Sequence, residues 1–260
     1  GSAEVRTVTE MTTTSAKPRL ERLCAARMSL SNQKIFLTLD TDWCPEEVLQ
    51  YALALFEEHA LRCTIFATGR YAALETCAPQ RIEIGVHPNF NDATLAQYEG
   101  KLQELLALYP NAQGVSSHAM MSSTPLLHLF KQAGLQYDRN LLRYQQPEAR
   151  PFYYFNGLLR VPIFWEDDIW FAEEQREPFV AGSFERSALP LVFNFHPIHL
   201  YLNTSSPEHY TAFKPHYHEA HKLMAHRHEG YGVLSYFTDL IAHLRAQQIA
   251  TGLLNELVAP

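Results

Sequence analysis

The chain is short of cysteine. Its four residues (Cys24, Cys44, Cys63, Cys77) form no CxxC pair and no dense framework, which excludes zinc-finger and thioredoxin chemistry and fits reduced thiols in a cytosolic protein. It is also short of positive charge: 21 Lys+Arg against 28 Asp+Glu leave a net charge of −7 with histidines neutral. A surface that grips phosphates needs the opposite sign, so nucleic acid is not an expected partner. No apolar run approaches the roughly 20 residues of a membrane span, and no charged-then-apolar leader is visible. Cytoplasmic localisation without a membrane span is the expectation. At 47% hydrophobic and 19% charged, the 260 residues are too apolar for a disordered chain and suit one large domain or two small ones. Histidine is present in excess, at 13 residues. It is the commonest metal ligand and the usual proton-transfer group near neutral pH.

Residues 1–33 read as a polar tail with a short helix within Leu20 to Met28, and residues 34–260 as a single domain. From Lys34 short apolar strands alternate with amphipathic helices. The strands are expected at 35–39, 63–67, 82–86, 113–117, 135–138, 159–164 and 189–195. Helices are expected from Pro45, over 94–109, from Thr124 to Gly134 and over 236–247, with Glu46 and Glu47 suited to the positive end of the first. Such alternation implies an α/β fold with a mainly parallel sheet and right-handed crossovers, and seven strands point to a barrel. The loops after the strands are then the place to look for a site.

Those loops carry polar groups that a core does not require: Asp40-Thr41-Asp42-Trp43, His87-Pro88-Asn89-Phe90-Asn91, Ser117-His118, Trp165-Glu166-Asp167-Asp168 and His196-Pro197-Ile198-His199. Each alone has an ordinary explanation as a turn or a helix cap. Five of them converging on one mouth would bring together carboxylates and imidazoles able to hold a divalent ion with a position left open for water. A turn at the end of the first strand can aim both Asp40 and Asp42 into that mouth. A late cluster (His209, His216, His218, His221, His226, His228) reads as a loop covering the mouth, with a second metal site as the alternative.

These segments resemble the polysaccharide deacetylases of carbohydrate esterase family 4, whose fold is the NodB-homology domain. The family's first motif, Thr-Phe-Asp-Asp-Gly, is matched by Thr38-Leu39-Asp40-Thr41-Asp42 with the aspartates one residue further apart. Its His-x-x-x-His is matched by His87-Pro88-Asn89-Phe90-Asn91, with an amide for the second imidazole. Ser116 stands where the family has Arg, and Arg139 or Arg160 could supply that cation from a neighbouring strand. Phe164-Trp165-Glu166-Asp167-Asp168 matches the acidic-aromatic motif loosely, and Phe193-Asn194-Phe195-His196 matches the last motif well. The DTDW, HPNFN and FWEDD segments place the resemblance with the divergent WbmS-like subgroup.

The resemblance implies a distorted (β/α)7 barrel of the NodB-homology type. It also implies a metal-dependent hydrolase that removes an acyl group, acetyl by preference, from an N-acylated amino sugar in bacterial surface polysaccharide metabolism. The cofactor is a divalent metal, Zn²⁺ by preference, and the partner is an amino-sugar or glycan substrate. Asp40 matches the general base, His196 the general acid, and Asp42 and His87 the metal ligands. His118 is favoured over Asn91 as third ligand. Asn91, Trp165, Asp167, Asp168 and His199 are candidates for substrate binding. Other readings stay open for three of these. Asp167 and Asp168 could orient His196 or cap a helix, and Trp165, like Trp43, could pack in the core instead of stacking on a sugar. Two competing functions share the fold: a metal-independent or deformylase-type amide hydrolase, and a glycan-binding relative without turnover.

Overall fold

The computed structural model describes residues 34–184 and 190–258. The tail and short helix expected within residues 1–33 lie outside the described residues, as does Leu189 at the start of the seventh expected strand.

Strands β1 (Lys34–Asp40), β2 (Cys63–Ala67), β3 (Ile82–Val86), β4 (Gly114–Val115) and β5 (Tyr137–Asp138) pair in parallel, each with the next. β6 (Phe152–Tyr153) folds back antiparallel on β7 (Leu159–Arg160), which runs parallel to β5. β8 (Trp165–Glu166) pairs with β9 (Leu191–Phe195), and β9 returns to β1. The ring closes through the chain between β7 and β8. Ile163 donates to Leu141 and accepts from Arg143, both at 2.8 Å, while Phe164 donates to Val192 at 2.9 Å. Residues 159–166 thus act as one barrel strand between β5 and β9. The sequence suggests a single strand there; two short ladders form because Pro162 has no amide to donate and separates them.

Period-two alternation along the strands divides the residues between two environments. Ile35, Leu37 and Leu39 of β1, Cys63 and Ile65 of β2 and Phe193 and Phe195 of β9 face outward. There they pack against the apolar stripes of α1 (Glu46–Glu58) and of a later helix, Val233–Ala246. Phe36, Phe66, Tyr137 and Val192 face inward and meet Leu254 and Leu257, which plug the N-terminal end of the barrel. β10 (Ala250–Gly252) brings that plug into place by pairing with the first residues of β1. Gly114 is required by this interior: a Cβ there would lie 2.0 Å from the Tyr137 ring.

The expected helices form with small boundary shifts. The one over 94–109 spans Leu95–Leu108, closed by a capping box between Thr94 and Gln97. The one expected to end at Gly134 stops at Gln132, and Gly134 takes the left-handed conformation that follows. The last helix starts at Val233, a turn early, because the Asn203 side-chain oxygen accepts from the Leu234 and Ser235 amides.

Candidate active site

The same alternation that buries Phe36 turns Thr38 and Asp40 into the barrel. Asp40 is buried at the C-terminal end of β1, where Arg139 Nη2 lies 2.5 Å from each of its carboxylate oxygens. The same Nη2 donates to Ser116 Oγ at 2.8 Å. The cation missing from Ser116 is therefore supplied one strand over, by Arg139, while Arg160 pairs with Asp138 at 3.1 Å. Asn194 Nδ2 adds a hydrogen bond to Asp40 Oδ2 at 3.0 Å. Burial by itself would raise the Asp40 carboxyl. Arg139, then His87 and His196, more than offset it and hold Asp40 below the usual carboxylate range.

After β1 the chain turns sharply. Asp42 and Trp43 both take positive φ, 43° and 57°, an unfavourable conformation for residues with a Cβ. The turn places Asp42 over the mouth. Its Oδ1 lies 3.0 Å from His87 Nε2 and 3.3 Å from His118 Nδ1. His118 opens a short 3-10 turn after β4, followed by Ala119 and Met120, also at positive φ. One ligand atom from each of Asp42, His87 and His118 lies within 4.8 Å of the others. Neither ring nitrogen of the buried His87 has a partner in hydrogen-bond geometry. An orphaned buried imidazole beside a carboxylate and a second imidazole is a donor set that a borderline divalent cation satisfies, so the residues fit a metal.

His196 follows β9. Its backbone N–H donates to Asp167 Oδ2 and its Nδ1 lies against Asp167 Oδ1, both at 2.7 Å. That leaves Nε2 facing the mouth, 3.6 Å from Asp42 Oδ2. Burial opposes a charge on His196, but the Asp167 carboxylate overrides it and raises the imidazole well above its ordinary value. Asp167 itself is pushed up by burial to about 6, so near pH 7 the pair stands as a buried ion pair.

The sequence-stated substrate residues fare differently. Asp167 has both oxygens engaged by His196, the orienting arrangement among the readings left open for it. Trp165 is buried at 1% exposure and stacked on Tyr236 at 4.2 Å, on the outward face of β8. It belongs to the core, and the mouth-side tryptophan is Trp43, 42% exposed and edge-on to His118. His199 is buried behind His196, between Phe171 and Tyr210, with Nδ1 on Thr204 at 3.0 Å. Burial and the neighbouring His196 hold it well below the ordinary histidine range, and its ring stands behind His196. Asn91 donates to Asn89 and to the His118 carbonyl at 3.3 Å. Its amide braces the loop bearing His118. Asp168 is half-buried beside the pair, with no hydrogen-bond partner for its Oδ1.

The late histidine segment covers the mouth through tyrosines: Tyr217 donates to the Asp42 carbonyl at 2.7 Å and Tyr210 packs on His199. Among the described residues, no metal-capable group draws on its histidines. Two residues at the site have no role assigned from the sequence: Glu166, present there only as part of the Trp165–Asp168 loop, and Asn194. A polar residue in the otherwise apolar Leu191–Phe195 strand was the available signal.

Residues 37–214 match the family model described as WbmS-like, polysaccharide deacetylase. The chain belongs to the WbmS-like polysaccharide deacetylase family. A crystal structure from Bordetella bronchiseptica, described as that of "a putative polysaccharide deacetylase involved in O-antigen biosynthesis", is 30% identical with a TM-score of 0.73. The alignment covers 84% of this chain and 93% of that one. A family 4 pseudoenzyme from Bacillus anthracis matches at 12% identity and a TM-score of 0.44, covering 86% of this chain and 65% of that one. A family 4 acetyl xylan esterase from Clostridium thermocellum, solved with cobalt, matches at 12% and 0.43, covering 86% and 90%. Comparison with curated protein sequences finds none similar. Among the described residues no helix is long and apolar enough to cross a membrane.

Proposed function

We propose that this WbmS-like family member is a divalent-metal-dependent hydrolase that removes an acyl group, acetyl first, from an N-acylated amino sugar in the assembly of a bacterial surface polysaccharide. The observation that carries the reading is the Asp40–Arg139 pair standing beside the Asp42–His87–His118 group and the His196–Asp167 pair. Arg139 meets Asp40 and Ser116 together and holds Asp40 ionised, as a carboxylate acting as base requires.

Asp42, His87 and His118 would hold the ion, and Zn²⁺ suits one carboxylate and two imidazoles. Bound there, a divalent ion supplies Lewis-acid chemistry, making water nucleophilic near neutral pH and polarising the acyl oxygen. Asp40, kept ionised by Arg139, accepts the proton of the attacking water. His196, kept protonated by Asp167, gives its Nε2 proton to the departing amine, so one carboxylate and one imidazolium divide the acid–base work. Trp43, beside His118, offers a flat apolar face to a sugar ring.

The test is acetate release from N-acetylated chitooligosaccharides by the zinc-loaded protein, before and after a chelator. Release that stops with the chelator and in Asp40→Asn supports the reading. Release insensitive to the chelator would sink the metal dependence, and sugar binding without release would favour the binding relative.

A further inference from the structure

Glu166 is a buried carboxyl that the reaction above leaves unused. It ends β8 directly opposite Asn194 of β9, and both point into the barrel. The Asn194 amide divides its two N–H groups between two carboxyls: one reaches Asp40 Oδ2 at 3.0 Å, the other Glu166 Oε1 at 3.1 Å. Its carbonyl accepts from Thr38 Oγ1 at 2.9 Å, which fixes which end of the amide faces the carboxyls. One oxygen of Glu166 lies within 4.8 Å of an Asp40 oxygen and a His196 ring nitrogen.

The two carboxyls are not equivalent. Asp40 has Arg139 on both oxygens, whereas Glu166 Oε2 is buried with no partner. An ionised Glu166 would be a buried anion with one hydrogen bond, facing Asp40 from β1 and Asp168 from the helix that follows β8. The cations facing it are His196, already paired with Asp167, and Arg139 of the β5 end, whose Nη2 is engaged by Asp40 and Ser116 and whose Nε and Nη1, buried without a partner, make no hydrogen bond to Glu166. A neutral acid escapes that penalty and still accepts from Asn194 through Oε1.

We propose that Glu166 is a positioning residue: a neutral carboxyl that, through the shared Asn194 amide, fixes the Asp40 carboxylate in its working orientation. This rests on the role given to Asp40 in the proposed function. Burial first, then Asp168, raises Glu166 to about 8, with His196 and Arg139 pulling down and Asp40 pushing up. Ionisation on the alkaline side sets a second negative charge against Asp40 and makes Asn194 a bridge between two anions, so the orientation is lost as pH rises through that value.

The experiment uses the full chain, wild type and the variants Glu166→Gln and Glu166→Ala, each checked for folding by circular dichroism. Infrared difference spectra of wild type minus Glu166→Gln, taken between about pH 6 and 10, should show a protonated-carboxyl band near neutrality that disappears on the alkaline side. No such band at neutral pH overturns the proposal. The Asp40 carboxylate band, assigned with Asp40→Asn, should stay in place in Glu166→Gln and shift in Glu166→Ala; a band unmoved in both variants also overturns it. In acetate release, Glu166→Gln should move the wild-type alkaline fall to higher pH, where His196 then sets it, and Glu166→Ala should lose about 100-fold at every pH, the scale of a misplaced reacting group. An alkaline fall identical in wild type and Glu166→Gln counts against the positioning role. If wild type releases no acetate while both infrared results hold, the proposed function fails and the carboxyl arrangement stands.

Discussion

Arg139 and Asp40 form a buried pair at the mouth of the barrel, the Nη2 of one 2.5 Å from both carboxylate oxygens of the other. The guanidinium comes from the end of β5, whereas the family motif places its cation at the position that Ser116 occupies on the β4 end. Removing one partner leaves an uncompensated buried charge, so Arg139→Ala should destabilise by about 3–5 kcal/mol and lower acetate release by at least about 100-fold. A double variant, Asp40→Asn with Arg139→Met, has no charge left to compensate. It should regain most of the stability in a denaturant titration and none of the activity. Failure of the double variant to recover stability would mean that Arg139 acts mainly through packing, for instance over the Phe66 ring at 4.8 Å.

The Asp42–His87–His118 group should bind one divalent ion per chain. Ligand binding to the folded state stabilises by about 2.7 kcal/mol at a free concentration 100 times Kd, so zinc should raise the melting temperature of the wild type. Asp42→Ala and His118→Ala should abolish both the shift and the metal found by elemental analysis. Asn91→Ala should keep its metal, because the Asn91 amide nitrogen donates to Asn89 and to the His118 carbonyl. Metal lost from Asn91→Ala and kept by His118→Ala would reverse the ligand assignment.

Much of this was legible in the sequence. Apolar runs at strand spacing and helices at 3.6-residue period are local signals, and all seven expected barrel strands lie where the periodicity puts them, the sixth broken by Pro162. The polar strand ends were equally plain, and Asp40, Asp42, His87, His118 and His196 do converge. What stayed hidden depends on register and on facing. The sequence offers Arg139 and Arg160 alike, and Arg139 is the one that reaches Asp40 because β5 sits beside β4 in a register that sequence spacing does not encode. Trp165 and Glu166 are neighbours with opposite fates, one in the outer core and one in the barrel, and Pro162 interrupts the alternation that would have told them apart. Asp167 is open in the sequence to orienting His196, binding sugar or capping a helix, and the β8–β9 pairing selects the first by bringing it against His196.

Asp167→Asn should move the pH profile in a defined direction. In the wild type the Asp167 carboxylate raises His196 against the effect of burial. With a neutral amide there, burial prevails and the imidazole drops below its ordinary value of about 6.5. Its protonated form then becomes scarce at neutral pH. The alkaline limb of kcat should shift to lower pH and the rate near pH 7 should fall by about 10²–10⁴-fold, the usual worth of positioned proton transfer. A variant with an unmoved limb would remove His196 from the role of acid.

The two tryptophans should separate stability from recognition. Trp165 is enclosed by Phe193, Phe195, Trp170 and Tyr236, so Trp165→Ala should cost about 3–5 kcal/mol, read as a lower denaturant midpoint. Trp43 is held at the mouth by a strained turn whose Trp43 N–H donates to Thr68 Oγ1 at 3.0 Å, with 42% of its surface open. Trp43→Ala should leave the midpoint nearly unchanged and raise KM for an N-acetylated oligosaccharide about tenfold, the loss of one stacking face. The same variant should act on a small acetyl ester, which has no sugar ring to stack, with kcat/KM close to wild type. Equal losses on both substrates would instead mark Trp43 as a support for His118, against which its ring is packed edge-on at 4.9 Å.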